Sequence, residues 1–283
     1  MDGEAQRQVW IERALLLIAL SAVGSLVLIT AFIFVEGLPV LSKAGLGNFL
    51  LSSQWAPTRG HFGIFAMIVS SVLATLGALA IGVPLGLACA VTLAEFATPT
   101  ARIILKPAVE LLAGIPSVVY GFLGVVLLVP LVRDHLGGPG LSLLAVTLIL
   151  GIMILPTVIG ISIDAIQAVP QTYREASLAL GATKWQTVYR VVLPAAKSGI
   201  ITAVVLAMGR AVGETMAVIM VAGNALRLPH SPLDSVRTLT SNIALELGYA
   251  SGDHRAALFA TGLVLFAVIL ALNGAASLLR RQR

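Results

Sequence analysis

Five stretches of this chain exceed twenty residues without a single Asp, Glu, Lys or Arg: Ala14 to Val35, Ile64 to Ala94, Leu111 to Val132, Leu141 to Ile163 and Ala256 to Leu279. A helix that crosses a bilayer needs about 20 apolar residues, because the hydrocarbon is roughly 30 Å thick and each residue rises about 1.5 Å. Each stretch meets that length. A sixth, Ser198 to Leu226, is apolar apart from Arg210 and Glu214. Soluble domains carry about 25% charged residues to face water; this chain carries 11%. Most of its surface must therefore meet lipid. The net charge of +5 is spread thinly and forms no basic patch, which excludes a nucleic-acid partner. The expected fold is all-α: a polytopic membrane protein with six transmembrane helices, residues 1–13 forming an N-terminal segment and residues 14–283 the membrane domain.

Lys and Arg set the orientation, since short basic loops stay in the cytoplasm. With the N-terminus inside, the inner segments hold eleven of them, including Arg102, Lys106, Arg174, Lys184 and Arg190 and ending in Arg280, Arg281 and Arg283. The outer loops hold Lys43, Arg59, Arg133, Arg227, Arg237 and Arg255. Both termini are thus expected in the cytoplasm. Arg7 and Arg13 precede the first span as they would a secretory signal, but its apolar run is longer than the usual 7 to 15 or so residues and no small-residue cleavage site ends it. It reads as a retained helix. His61, His135, His230 and His254 fall in or beside outer loops without metal-ligand spacing. Cys89, the single cysteine, sits in an apolar run and reads as a buried small hydrophobe. Prolines within the spans (Pro84, Pro116, Pro130, Pro156) free backbone groups that neighbouring helices, or hydroxyls such as Ser117 and Thr157, can satisfy.

The longest inner loop, Asp164 to Lys197, reads as two short helices. Thr172 and Glu175 have capping-box spacing, Tyr173, Ala176 and Leu180 recur at helical spacing, and Gly181 can adopt the left-handed conformation that stops a helix. Thr183 and Gln186 repeat the capping spacing and open a second helix with Trp185, Val188 and Val192. Composition alone is equally satisfied by an amphipathic hairpin on the membrane surface.

The same loop carries Glu175-Ala176-Ser177, three residues, Gly181, nine residues, Val191, one residue, then Leu193-Pro194. This resembles the signature of permease subunits of binding-protein-dependent ABC importers, with Ser177 and Val191 as conservative departures. The resemblance implies the type I ABC importer permease (MetI-like) fold. It also implies that the loop is a coupling device docking on a cytoplasmic ATP-binding subunit. Tyr173 and Trp185 would be its large anchors, Glu175 part of its signature, and Ala176, Ser177 and Gly181 the small residues that permit close approach.

Arg210 and Glu214 are the ionisable residues well inside a span, and each costs roughly 2.5 to 3.5 kcal/mol at the bilayer centre on insertion scales. Arg210 lies roughly 16 Å from Gly199 at about 1.5 Å per residue, near the midplane. Residues four apart share a helix face. The pair is therefore either a self-neutralising structural bridge or part of a substrate path, and Gly209 and Gly213 let another backbone approach beside it.

The block Gly209 to Val218 with Gly223-Asn224 resembles the permeases of phosphate-specific ABC importers. So do Trp55-Ala56-Pro57 before Phe62-Gly63, Glu110 to Gly121, and Arg237 to Asn242. That resemblance implies inorganic phosphate as substrate, a homologous second permease, two ATP-binding subunits and an extracytoplasmic phosphate-binding protein. The last would dock on Val40 to His61 and Arg227 to Arg255. A guanidinium fork matches two oxygens of an oxyanion, so Arg210 is expected to touch it. Glu214 is expected to pair with Arg210 and tune release, or to accept a hydrogen bond from protonated phosphate. No Gly-x-x-x-x-Gly-Lys-Ser/Thr run occurs, so ATP and Mg are expected on the partner, with no cofactor on this chain. A permease for sulfate or phosphonate would share the loop, an ion-coupled transporter would not need it, and an intramembrane enzyme lacks a histidine at membrane depth.

Overall fold

The computed structural model of the chain describes residues 2–281, so Arg283 lies outside the described residues. In chain order the elements begin with α1 (Asp2–Ala44), α2 (Leu46–Leu51) and a hairpin of β1 (Trp55–Ala56) and β2 (His61–Phe62), in which Trp55 pairs with Phe62. Next come α3 (Phe65–Val91), α4 (Pro99–Gly114), α5 (Ser117–Leu123), α6 (Val129–Leu136) and α7 (Leu143–Gln167). The chain continues through α8 (Gln171–Ala179), α9 (Lys184–Thr187), α10 (Leu193–Ala195), α11 (Lys197–Gly213) and α12 (Met216–Val221). It closes with α13 (Leu239–Glu246) and α14 (Gly252–Arg281). Single π turns at Thr92–Phe96, Gly124–Leu128 and Val188–Val192 extend α3, α5 and α9 at their C-terminal ends.

Five helical stretches are long and apolar enough to cross a membrane: Trp10–Lys43, Phe65–Phe96, Ser117–Leu136, Leu143–Gln167 and Gly252–Gly274. The sixth is a bent pair, Lys184–Ala195 and Lys197–Gly213, which meet at 68°. Two expected spans are redrawn. Leu111 to Gly114 belong to α4, and the third span starts only at Ser117. The cause is Pro116, which lacks an N–H and pushes the preceding Ile115 to φ −68°, ψ 126°, outside the helical region. The expected fifth span is broken as well: α11 stops at Gly213, Glu214 is extended, and α12 starts anew at Met216.

The centre of the bundle is α3 against α7. Ala74, Ala78, Gly82 and Gly86 recur every four residues on the buried face of α3. A Cβ at Gly82 would lie 2.6 Å from Ile154 Cγ1, and one at Gly86 would lie 2.8 Å from Val158 Cγ1, so these glycines admit the α7 side chains directly. α11 and α12 add Ala207, Ala211, Ala217, Val218 and Val221 to that core. Cys89 is half-buried beside Ala90, Leu93, Ile159 and Ile163. Buried hydroxyls that fold back on carbonyls include Ser70, Thr75 and Thr261; Ser117 and Thr157 make no side-chain hydrogen bond among the described residues.

The end of the bundle opposite the α8–α9 hairpin is closed by a cap of α2, the β-hairpin, residues 222–238 and α13. Its centre is the carboxylate of Glu246, only 7% exposed. Arg237 Nη1 donates to Glu246 Oε1 at 2.7 Å, Trp55 Nε1 donates to Oε2 at 2.8 Å, and His254 Nε2 lies 2.8 Å from Oε2. Arg237 also donates to the Asn224 carbonyl and to Asn242 Oδ1. His254 is therefore no loop histidine but a member of this network. Beside it, backbone N–H groups of His230 and Ser231 hold the Asp234 carboxyl below its usual range, with Arg227 assisting. A lowered carboxyl stabilises the fold at every pH above its unfolded value, and the gain is lost only as pH falls through the lowered one. Removing one partner of a buried pair strands the other charge. Arg237→Met should cost about 3–5 kcal/mol, and Trp55→Phe, which deletes one hydrogen bond, about 1 kcal/mol. Thermal unfolding of the purified protein measures both; an Arg237→Met protein as stable as the parent would show that the network carries no weight.

Candidate functional site

Two helix breaks flank one close helix crossing. One is Ile115–Pro116, between α4 and α5; the other is Glu214–Thr215, between α11 and α12. α5 packs on α12 so closely that a Cβ at Gly121 would lie 2.7 Å from Met220 Sδ and 2.9 Å from Ala217 Cα. Groups freed by the breaks are largely satisfied locally. Tyr120 Oη donates to the Leu112 carbonyl at 2.9 Å, across the first break. Thr240 Oγ1, from α13, donates to the Glu214 carbonyl at 3.0 Å, and the Ala217 N–H donates to Glu214 Oε1 at 3.2 Å. α13 itself is seated by the Leu239 N–H, which donates to Ser71 Oγ of α3 at 3.0 Å.

Arg210 and Glu214 do not pair. The helix that would align them ends at Gly213, and no ion pair joins the two among the described residues. Glu214 is half-buried and turned onto the first turn of α12. Arg210 is exposed in the isolated subunit, on a face of α11 with Leu206 and Gly213, and Met216 beyond the break is exposed too. No carboxylate answers its charge among the described residues. Chemically this is an unengaged guanidinium fork, able to offer parallel N–H groups to a planar or tetrahedral oxyanion.

The hairpin is a second site. Thr183 accepts from the Gln186 N–H, and Gln186 Oε1 accepts from the Thr183 N–H, completing the expected capping box. Thr172 and Glu175 form none, because Pro170 takes the N-cap position and α8 starts at Gln171. Gly181 adopts φ +83°, and its N–H and that of Ala182 close on Leu178 and Ser177 carbonyls, ending α8 as expected. Ser177 and Thr187 share a hydroxyl hydrogen bond of 2.9 Å that ties α8 to the end of α9. Tyr173, Glu175, Ala176, Gly181 and Trp185 are exposed. Leu180, Tyr173 and Trp185 at 90%, 53% and 60% exposure form an apolar rim.

The hairpin is fastened to the bundle by an ion pair that no short-range sequence pattern predicts. Arg174 Nε and Nη2 donate to Glu95 Oε1 at 3.1 and 2.6 Å, while Nη1 and Nη2 also donate to the carbonyls of Val169 and Ile166. Glu95 lies in the π turn that ends the second span, 79 residues away, and its side chain is 9% exposed. The one signal for it in the sequence is its place at the edge of an apolar run. Among the described residues no group of three or more His, Cys, Asp or Glu could hold a metal ion.

Residues 82–283 match the family described as the binding-protein-dependent transport system inner membrane component. The probable ABC transporter permease protein YqgH of Bacillus subtilis is 44% identical over 255 residues, covering 87% of this chain and 82% of that protein. The phosphate transport system permease protein PstC of Mesorhizobium japonicum is 37% identical over 83% of this chain and 78% of its own length. PstC of Pasteurella multocida is 35% identical, over 78% and 75%. Among solved structures, a bacterial alginate ABC transporter in complex with a pentasaccharide-bound periplasmic protein gives a TM-score of 0.71 at 16% identity, covering 99% of this chain and 96% of that one. The inward-facing MetNI methionine ABC transporter gives 0.58 at 21% identity, over 77% and 93%. Likenesses at such identities establish the fold, which is that of MetI-like permeases. With the family match covering well over half its length, the chain belongs to the binding-protein-dependent transport system inner membrane components and is an ABC transporter permease.

Proposed function

We propose that this chain is one of two homologous permease halves of an ATP-driven importer for inorganic phosphate in the bacterial cytoplasmic membrane, with both termini in the cytoplasm. The observation that carries the substrate reading is the uncompensated Arg210 at membrane depth, beside relatives that are phosphate transport system permeases. An exposed guanidinium in hydrocarbon is costly. The second permease, packing on the face of Leu206, Arg210 and Gly213, would turn that face into a polar path and give the charge its counterpart in the passing anion. Glu214 then has a different role from the release-tuning partner of Arg210: its carboxylate holds the start of α12 and so fixes the break beside Arg210.

Energy enters at the hairpin. Residues 172–194, within the loop at 164–197, are the coupling segment, and Tyr173, Leu180 and Trp185 form the apolar surface for one of two ATP-binding subunits, which hold ATP and Mg. The Arg174–Glu95 pair would transmit hairpin motion to the end of α3, and the bend before α11 would carry it towards Arg210. The cap around Glu246 faces outward and receives the extracytoplasmic phosphate-binding protein.

Uptake of phosphate into vesicles by the assembled importer tests the path. Arg210→Gln should reduce uptake at least tenfold, the scale of one charge-assisted hydrogen bond of roughly 1.5–3 kcal/mol. Arg210→Lys should fall between, because it keeps the charge and loses the fork. Glu214→Gln retains an acceptor for Ala217 and should transport nearly as well as the parent, whereas Glu214→Ala should not. Full uptake by Arg210→Gln rules out the substrate role.

Coupling has its own test. At φ +83° a branched side chain is strained, and Gly181→Leu also adds bulk to the docking rim. That variant should insert at the parent level yet fail to link ATP hydrolysis to uptake. Normal ATP-dependent uptake by Gly181→Leu would remove the docking role.

A further inference from the structure

A cleft of about 810 Å³ opens at the hairpin end of the bundle, where the π turn after α3, the start of α4, the end of α7 and the α8–α9 hairpin converge. Its charged lining is unbalanced. Arg102, Arg174 and Lys184 face a single carboxylate, Glu95. The three guanidinium nitrogens of Arg174 are engaged by Glu95 Oε1 and by two backbone carbonyls, so Arg174 has no nitrogen left to offer a ligand. Arg102 donates Nε to the Leu93 carbonyl and Nη2 to that of Ala94, which leaves Nη1 without a hydrogen-bond partner among the described residues. Lys184 Nζ lies 5.1 Å above the Phe96 ring and has no ion-pair partner among the described residues.

Two unneutralised cations on separate elements thus border one cavity. Its wall also includes Pro170 and Gln171, where α8 begins without a side-chain cap, and Gln167 adds a neutral amide. The uncapped backbone N–H groups at the start of α8 and the two cations favour the same ligand charge. Lys184 offers a rotatable point charge and Arg102 an anchored planar donor, a combination suited to a tetrahedral group with several equivalent oxygens. Basic pockets between membrane helices at the cytoplasmic side characteristically take acidic headgroups.

We propose that this cleft binds a phosphate group, through Lys184 Nζ and Arg102 Nη1, delivered as inorganic phosphate or as the headgroup of an anionic phospholipid. The site is independent of the transport path at Arg210. A bound group would bridge the start of α4 to the start of α9, adding a polar tie between hairpin and bundle to the Arg174–Glu95 pair.

The test uses the assembled importer, without its binding protein, in nanodiscs of phosphatidylcholine alone or doped with phosphatidylglycerol. Radiolabelled orthophosphate binding and retained phosphatidylglycerol, by mass spectrometry, are read for the parent, Lys184→Gln, Lys184→Arg and Arg210→Gln. Lys184→Gln removes no hydrogen bond or ion pair of the fold and only the exposed cation–π contact with Phe96, which is weak at the surface, so its thermal unfolding should stay close to the parent's. Orthophosphate binding that falls about tenfold in Lys184→Gln, recovers in Lys184→Arg and survives Arg210→Gln identifies free phosphate as the ligand. The same pattern in retained phosphatidylglycerol identifies the lipid. If neither probe responds to Lys184→Gln, or if orthophosphate binding is lost in Arg210→Gln while the lipid is indifferent to Lys184, the proposal is overturned.

Discussion

The close approach of α3 to α7 is the constraint on which the rest of the molecule depends. Lipid tails are as apolar as leucine, so burial alone gives helices no reason to associate in a bilayer, and packing must come from contact. Gly82 and Gly86 supply it by admitting Ile154 and Val158 to the α3 backbone. Gly199 does the same for Ala165 where α11 joins. α3 and α7 each carry an internal proline, Pro84 and Pro156, without breaking. The breaks occur instead in the two helices that rest against this pair.

Those breaks are possible only because their freed backbone groups are answered. In hydrocarbon an unsatisfied amide or carbonyl costs several kcal/mol. Tyr120 answers one carbonyl, Thr240 another, and the Glu214 carboxylate answers the Ala217 amide. Each answering group comes from a segment that dips towards the break or spans it. The residue at Gly121 must be small for the two broken helices to cross. A consequence falls on Arg210: since Glu214 is committed to α12, the guanidinium four residues earlier has no local partner and stays exposed.

Much of this was legible in the sequence, for identifiable reasons. Spans are set by run length against a fixed bilayer, so α1, α3, α7 and α14 are each built around a charge-free stretch, although α1 runs on in both directions and takes in most of residues 1–13. The Thr183–Gln186 box and the Gly181 stop are contained within a few neighbouring residues, and both form. Thr172–Glu175 has the same spacing but fails, because Pro170 claims the cap two residues earlier. The spacing of Arg210 and Glu214 was equally correct and equally insufficient, since it presumes that the helix continues. Glu246 was beyond reach: its partners Trp55, Arg237 and His254 are 191, 9 and 8 residues away, and only the folded cap brings them to one carboxylate.

The distribution of satisfied and unsatisfied charge divides the molecule into parts that hold and a part that can respond. At one end both oxygens of Glu246 are held by Arg237, Trp55 and His254; at the other Glu95 Oε1 is held by two nitrogens of Arg174. Breaking a buried pair of this kind costs roughly 3–5 kcal/mol, so each end should move as a unit and not dissolve when a partner docks on it. Between them the two helix breaks lie in segments whose closures are single hydrogen bonds, each worth about 1 kcal/mol net. Motion imposed at the hairpin therefore has its weakest resistance at the breaks and not at the ends. The 68° bend before α11 lies on that line, and Arg210 sits between the bend and the second break. A permease that has to expose an anion site alternately to two sides needs this ordering of stiffness: strong where partners pull, weak where the site opens.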